Sequence, residues 1–217
     1  MKKINKIKWG IIGLANIANQ FANDLMLLED AELTAVASRD LAKANDFAQK
    51  FNCTKAYDSY EALFADEEVE IIYIATPHNS HTTLSIKALE NGKHVLCEKP
   101  MALSYSDAIQ MIEASKKNNR FFMEAFWTRF NPSVKEVLQQ VRNGVIGDIK
   151  YINADFAFRG SETENQRLFD KNLGGGALFD IGVYPLFLSY ILLGKPNEIV
   201  AKAKMLKNDI DLQTSLI

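Results

Sequence analysis

WGIIGLANIA, residues 9–18, is a short apolar run that ends at Gly13 and leads into a segment with helical spacing. Ile17, Phe21 and Leu25 recur at the interval that places apolar side chains on one face of a helix. The stretch therefore predicts a strand, a tight turn and a helix. A strand–turn–helix unit of this kind opens folds that bind dinucleotides.

The same alternation of strand and helix continues along the chain. Residues 32–38 form a second apolar run, and Asp40 is suited to cap the helix that follows it. The next predicted elements are a short helix at 59–65, a strand at 70–75, a helix at 80–90, a strand at 94–97, a helix at 104–118 and a strand at 121–125. Strands that are apolar throughout are covered on both faces, so the pattern predicts a doubly wound parallel sheet.

The pattern changes after Asn131, and we place the domain boundary near residues 126–132, with 1–126 in one domain and 127–217 in the other. Residues 132–142 are predicted to be helical. Residues 148–159 alternate apolar and polar side chains, which predicts a half-exposed antiparallel strand. A buried core helix is expected at 177–193 and two further strands at 198–206 and 211–217. The second domain is thus predicted to be α+β.

Composition excludes some classes of protein. The chain has 217 residues, 47% of them hydrophobic, and a formal net charge of -2, which does not favour a nucleic-acid partner. The lysines at positions 2, 3, 6 and 8 alternate with apolar residues and are interpreted as the entry to a strand. Residues 177–193 are too short for a membrane span and contain Asp180 and Pro185. Two cysteines, no signal-peptide pattern and no membrane span predict a cytoplasmic protein.

The first turn has the spacing of a cofactor loop, Gly13-x-Ala15-x-x-Ala18. Gly13 would make the turn and Ala18 would allow close packing of helix on strand, while Ala15 stands where a second glycine is usual. Amides at the helix N-terminus would bind the phosphates. The predicted cofactor-binding residues here are Gly13, Leu14, Ala15, Asn16 and Ile17.

Ser38-Arg39 occupies the end of the second predicted strand, where an acidic residue would bind a ribose hydroxyl of NAD. A serine hydroxyl and a guanidinium suit a ribose 2′-phosphate instead. We therefore predict NADP(H), with NAD(H) as the alternative. The competing interpretation is that Arg39 is a solvated loop charge.

Two further segments carry groups suited to catalysis. Lys99 lies just past a predicted strand, at the edge that faces the ligand crevice of an open α/β sheet. Asp180 and Tyr184 are four residues apart, so they are expected on one face of the apolar helix, with a kink at Pro185. The alternative is that Asp180 binds the amides of residues 174–176 and Tyr184 packs in the core. No metal site is predicted, because the His78/His81 and His94/Cys97 pairs lack further ligands.

These residues, in this order, resemble the Gfo/Idh/MocA oxidoreductase family, and within it the branch of dihydrodiol dehydrogenases and NADP-dependent sugar dehydrogenases. The segments that carry the resemblance run through nearly the whole chain. They are residues 9–18, Thr76-Pro77-x-x-x-His81, Glu98-Lys99-Pro100, residues 124–132 and residues 174–185. The resemblance implies a Rossmann domain followed by a domain with an open, mostly antiparallel sheet, which can form a homo-oligomer.

The resemblance also implies roles for individual residues. Lys99 would be the catalytic lysine, Tyr184 the proton-transfer group and Asp180 a residue that places the substrate. Trp127 would line the pocket near the nicotinamide, and Arg129 would lie close to the cofactor. The remaining implied cofactor contacts are Thr76, Pro77, Asn79, His81 and Glu98.

The implied reaction moves a hydride between the nicotinamide and a secondary alcohol or carbonyl of a diol, polyol or sugar. A free phenol is a weak base near neutrality, and a neighbouring ammonium would stabilise its phenolate. Members of the family continue well beyond the length of this chain, so we expect a C-terminally truncated second domain. A non-catalytic dinucleotide-binding module and an inactive remnant therefore stay open as alternatives.

Overall fold

The computed structural model describes residues 5–163 and 166–217, so Lys2 and Lys3 of the predicted strand entry lie outside the described residues. The chain divides into two compact units, residues 1–125 and 126–217. Each unit is described by itself.

The first unit is built on a parallel sheet of six strands in the order β3-β2-β1-β4-β5-β6. The strands are β1 (Ile7–Ile12), β2 (Ala31–Ala37), β3 (Lys55–Tyr57), β4 (Ile71–Ile74), β5 (His94–Glu98) and β6 (Phe122–Ala125). The helices are α1 (Asn16–Leu25), α2 (Leu41–Lys50), α3 (Tyr60–Ala65), α4 (His81–Glu90) and α5 (Tyr105–Asn118). The predicted doubly wound Rossmann sheet is confirmed, although β3 was not foreseen.

Short polar side chains fix where several of these helices begin. The Asp40 carboxylate accepts from the amides of Ala42 and Lys43 at the start of α2, as predicted. Ser59 accepts from Ala62 at the start of α3, and Ser104 from Asp107 at the start of α5. Each cap satisfies an amide that has no partner inside its helix.

Buried side chains cover both faces of the sheet. Ile11 and Val36 pack on one face with residues of α1 and α2. Ile12 and Ile72 pack on the other face with residues of α3, α4 and α5. Successive residues of a strand point to opposite faces, so apolar residues at every position are required to fill two cores.

The second unit contains α6 (Pro132–Arg142), α7 (Val183–Leu193) and an antiparallel pair, β7 (Ala201–Met205) with β8 (Asp211–Leu216). The helix at 132–142 and the two last strands were predicted. The strand predicted at 148–159 is wrong: within the described part of this unit, these residues have no strand partner and adopt no regular structure. Alternation favours an extended chain, but only a hydrogen-bonded neighbour makes it a strand.

The apolar segment at 177–193 also differs from its prediction. It begins with a π-helical turn, Leu178–Gly182, and continues as α7, none of whose residues is buried. The prediction of a buried core helix is therefore wrong for the described chain. By length and composition the helical segment Lys171–Leu193 could cross a membrane, a test that core helices of soluble proteins also pass.

Candidate functional site

Four loops of the first unit leave the same edge of the sheet. Gly13, Ser38, Thr76 and Lys99 follow the carboxyl ends of β1, β2, β4 and β5, which are neighbouring parallel strands. In an open α/β sheet, ligands bind outside this edge, at the point where the strand order reverses. That point lies between β1 and β4.

Gly13 makes the turn between β1 and α1 with a φ of +83°. A Cβ atom there would lie 2.4 Å from the carbonyl carbon of Ala75. Any side chain would therefore collide with the main chain that follows β4. Because Ala15 precedes α1 and has no side-chain acceptor, the first-turn amides of α1 stay available to an anion. This turn fits a dinucleotide phosphate.

Ser38 and Arg39 follow β2 beside that turn. The amide of Asp40 donates to Oγ of Ser38 at 3.2 Å, which leaves the hydroxyl proton of Ser38 free to donate. Arg39 is exposed, and Asp40 is engaged as the cap of α2. The loop thus presents a hydroxyl and a guanidinium, and Oδ1 of its one carboxylate caps α2.

The Thr76–His81 segment separates into exposed and buried residues. Pro77 and Asn79 are exposed, whereas Thr76 is buried and its hydroxyl accepts from Ser80 at 2.7 Å. His81 has no exposed surface; its Nδ1 lies 2.9 Å from the Pro100 carbonyl oxygen and its Nε2 lies 2.8 Å from that of Thr76. The imidazole of His81 therefore contacts the main chain of two loops, the one that follows β4 and the one that follows β5.

Lys99 lies in a loop whose main chain is hydrogen-bonded to half-buried acids. Its amide donates to Oε2 of Glu98 at 3.2 Å, and the hydroxyl of Tyr73 donates to Oε1 of Glu98. The pKa of Glu98 lies above its usual value, because the effect of burial is larger than that of the Tyr73 hydrogen bond and the Lys99 charge, which lower the pKa. The peptide bond between Lys99 and Pro100 is cis.

In the second unit, Tyr184 lies in the first turn of α7 within an aromatic cluster. Nε1 of Trp127 donates to the Tyr184 hydroxyl oxygen at 3.2 Å. The rings of Phe126 and Phe156 lie 5.4 and 5.5 Å from that of Tyr184. An indole N–H can only donate, so the Tyr184 oxygen is the acceptor in this hydrogen bond, which does not use the hydroxyl proton of Tyr184. Arg129 lies in a 3-10 turn, Trp127–Phe130, and is exposed.

Asp180 lies in the π-helical turn and forms an ion pair with Arg167, whose Nη2 is 2.6 Å from Oδ1. The amides of Gly174, Gly175 and Gly176 donate to main-chain carbonyls, so the alternative that Asp180 serves them is not supported. Asp180 lies four residues before Tyr184, which is in the first turn of α7, and the shared face predicted for the two stays a prediction. Asp180 lines a cavity of about 230 Å³ together with Phe158, Phe169 and other residues of this unit.

Sequence reasoning missed three residues that support the site. Tyr73 lies in the strand predicted at 70–75, but the sequence predicts no role for it or for Arg167. Glu124 lies in a segment that carried the family resemblance, yet no role was given to it. An acid at the end of a strand that is covered on both faces needs a donor, and that requirement was the signal that could have drawn attention to Glu124, which is half-buried.

Family models match both units. One, described as "Oxidoreductase family, NAD-binding Rossmann fold", matches residues 7–126. A second, "GFO/IDH/MocA C-terminal domain", matches residues 134–216.

Curated relatives agree with these models. The trans-1,2-dihydrobenzene-1,2-diol dehydrogenase of Xenopus tropicalis is 39% identical over 214 residues, which are 97% of this chain and 64% of the relative. That of Mus musculus is 40% identical over 215 residues, with the same two coverages. The chain thus spans slightly less than two thirds of the length of these relatives.

A solved structure is similar over the same extent. The 3-ketoreductase of Actinomadura kijaniata, in complex with NADP and TDP-benzene, is 31% identical with a TM-score of 0.91. The match covers 98% of this chain and 66% of that enzyme. Taken with the two family models, it shows that the chain belongs to the Gfo/Idh/MocA oxidoreductase family.

Proposed function

We propose that the chain belongs to an NADP-dependent oxidoreductase that acts on a secondary alcohol or carbonyl of a diol, polyol or sugar. The observation that carries the proposal is the edge of the first sheet. There a glycine turn, uncapped helix amides and the Lys99 loop follow neighbouring strands. The relatives named as diol dehydrogenases and the NADP-bound 3-ketoreductase support the same class of reaction.

The residues suited to hold the cofactor divide by the part they would bind. The Gly13–Ile17 segment would bind the pyrophosphate through main-chain amides. Ser38 and Arg39 would bind the ribose 2′-phosphate, and Thr76, Pro77, Asn79 and Glu98 would border the nicotinamide half. When bound, the nicotinamide supplies the hydride chemistry.

The remaining chemistry is proton transfer and charge stabilisation. We assign the proton to the hydroxyl of Tyr184, whose oxygen accepts from the Trp127 N–H and is thereby held in place. Lys99 would stabilise negative charge that develops on the substrate oxygen. Asp180, held by Arg167, would place a substrate hydroxyl. Solved variants of the 3-ketoreductase, with one tyrosine changed to phenylalanine or one lysine changed to alanine, concern the same two residue types.

Replacement of Tyr184 by phenylalanine tests the reaction. It removes the hydroxyl and keeps the ring in its aromatic cluster. We expect turnover with NADP+ and a panel of diols, aldoses and polyols to fall by roughly 10²–10⁴-fold, with NADPH affinity nearly unchanged. Tyr190→Phe, on an exposed tyrosine of the same helix, is the control and should keep its activity. Normal turnover by Tyr184→Phe would contradict the assignment, and NADPH binding without any turnover by the parent chain would favour a non-catalytic module.

Cofactor choice is tested by competition between NADPH and NADH, followed by nucleotide fluorescence. We expect NADPH to bind more tightly, because Ser38 and Arg39 offer a hydroxyl and a guanidinium. Arg39→Ala should weaken NADPH by about 10-fold, the loss of one charge-assisted contact, and leave NADH unchanged. Lys43→Ala, an exposed cation of the following helix, is the control. A parent chain that prefers NADH would overturn the NADP assignment.

Location and partners complete the proposal. Cys53 and Cys97 are free thiols, which suits a reducing compartment, and we propose a cytoplasmic enzyme without nucleic-acid or membrane partners. All residues of β7 are exposed, which suits a homo-oligomer formed through the second sheet.

A further inference from the structure

The main chain of the Lys99 loop is held by side chains from three different elements. Glu98, at the end of β5, accepts from the Lys99 amide. His81, at the start of α4, lies 2.9 Å from the Pro100 carbonyl oxygen. Glu124, in β6, accepts from the Met101 amide at 2.8 Å. Three consecutive residues are therefore each fixed by a separate side chain.

Glu124 is placed for this contact by strand register. It pairs with Cys97 across the parallel strands β5 and β6, so its carboxylate emerges beside the last residues of β5. Pro100 has no N–H, and the amide of Met101 is the first donor after Lys99. A carboxylate that accepts from a main-chain amide makes a charge-assisted bond, stronger than one between neutral groups.

The pKa of Glu124 depends on its contact with the same loop. Burial raises the pKa of Glu124, while the Met101 hydrogen bond and the positive charge of Lys99 lower it. Burial is the larger effect, so the pKa of Glu124 is raised overall. Glu124 fixes the loop through one oxygen, which accepts from the Met101 amide.

We infer that Glu124 is a positioning residue, which holds the Lys99–Met101 main chain so that the Lys99 ammonium has a fixed place at the edge of the sheet. This inference rests on the proposed function for the role of Lys99. The placement itself does not, because it concerns only contacts within the first unit. The two parts can therefore be tested separately.

Hydrogen exchange of the Met101 amide tests the placement without any turnover. In Glu124→Leu the acceptor is lost, and we expect the amide to exchange at least about 10-fold faster than in the parent chain. Glu124→Gln keeps an acceptor oxygen of the same length and should restore most of the protection. Glu124→Asp withdraws the carboxylate by one methylene and should fall between them, which provides a result if the leucine variant does not fold.

The matched control is Glu70, whose carboxylate accepts from the Lys8 amide at 2.9 Å. It makes the same type of bond, and it lies just before β4, at the opposite edge of the sheet. Glu70→Leu should accelerate exchange at Lys8 and leave Met101 and turnover unchanged. Unchanged exchange of Met101 in both Glu124→Leu and Glu124→Asp would overturn the placement.

Steady-state kinetics test the role in catalysis. We expect Glu124→Leu to lower kcat by about 10–100-fold while KM for NADP+ changes less than about threefold, because the reacting groups and not the nucleotide contacts are displaced. Glu124→Gln should recover most of kcat. A normal kcat in Glu124→Leu would overturn the positioning role. A parent chain without turnover on any substrate would refute the proposed function, and with it the positioning role in catalysis, while the exchange result would still decide the placement.

Discussion

At the scale of single residues, the turn at Gly13 is constrained both by its own backbone conformation and by the main chain beside it. The sequence required a turn there, and the structure adds the reason why a side chain is excluded. The positive φ disfavours any residue with a Cβ, and the main chain of Ala75 occupies the space a Cβ would need. Replacing Gly13 by any residue with a Cβ should therefore reduce stability for two separate reasons.

Gly13→Ala should reveal both costs. A positive φ alone costs an alanine about 1–2 kcal/mol. The contact with the Ala75 main chain adds backbone strain, so we expect Gly13→Ala to lower the free energy of unfolding by roughly 3 kcal/mol or more. Urea denaturation measures this change, followed by fluorescence in a Trp127→Phe background so that Trp9 of the first unit is the reporter.

Gly92 provides the control within the same unit. Its φ is +75°, but a Cβ there would meet only the Arg120 side chain, at 3.6 Å. Gly92→Ala should therefore show the conformational cost alone. If the two variants lose the same stability, the close approach of the Ala75 main chain to Gly13 contributes nothing, and the interpretation of this turn is wrong.

At the scale of elements, the sequence predicted what depends on local pattern and missed what depends on distant partners. The helix after Asp40 could be predicted because its cap is three residues or fewer from the amides it binds. Strand β3 could not be predicted from its local sequence. It has only three residues, and Asp66 accepts from its Lys55 and Tyr57 side chains after the intervening helix α3.

In the second unit the local pattern predicted a strand that the described residues do not form. Residues 148–159 have the alternation of a strand, and Tyr151 to Asp155 do alternate in exposure. No strand lies beside them in the described part of the unit, so the pattern has no hydrogen-bonded neighbour. Sequence alternation reports which side chains prefer to be covered, whereas a sheet also requires a second chain segment at the right distance.

The residues of the candidate site also differ in whether their local sequence is enough to identify them. Lys99 and Tyr184 could be singled out because each stands in an unusual local sequence. Tyr73 and Arg167 could not, because their contacts join residues that are 25 and 13 positions apart. The partner of Glu124, the Met101 amide, is likewise found only once the fold is known.

At the scale of the whole molecule, the two units differ in how much apolar surface they bury. Among the described residues, only Phe126, Leu138 and Ile210 are buried apolar side chains of the second unit, whereas the first unit has two extensive clusters. Burial of apolar surface is the main favourable term in folding, so local opening should be easier in the second unit. The exposed segment at 148–160 offers a protease an extended chain.

Limited digestion of the intact chain with thermolysin should therefore begin in the second unit and leave a resistant fragment close to residues 1–125. Proteolysis reports the population of opened chain, so the difference in burial becomes a difference in cleavage rate. NADPH should slow the later loss of this fragment, because a ligand that binds only the folded unit stabilises it by mass action. Digestion in urea is the control, since the unfolded chain should be cut in both halves alike. Early cuts within the six-stranded sheet, or equal cleavage of both units without denaturant, would show that buried area does not set the order of opening.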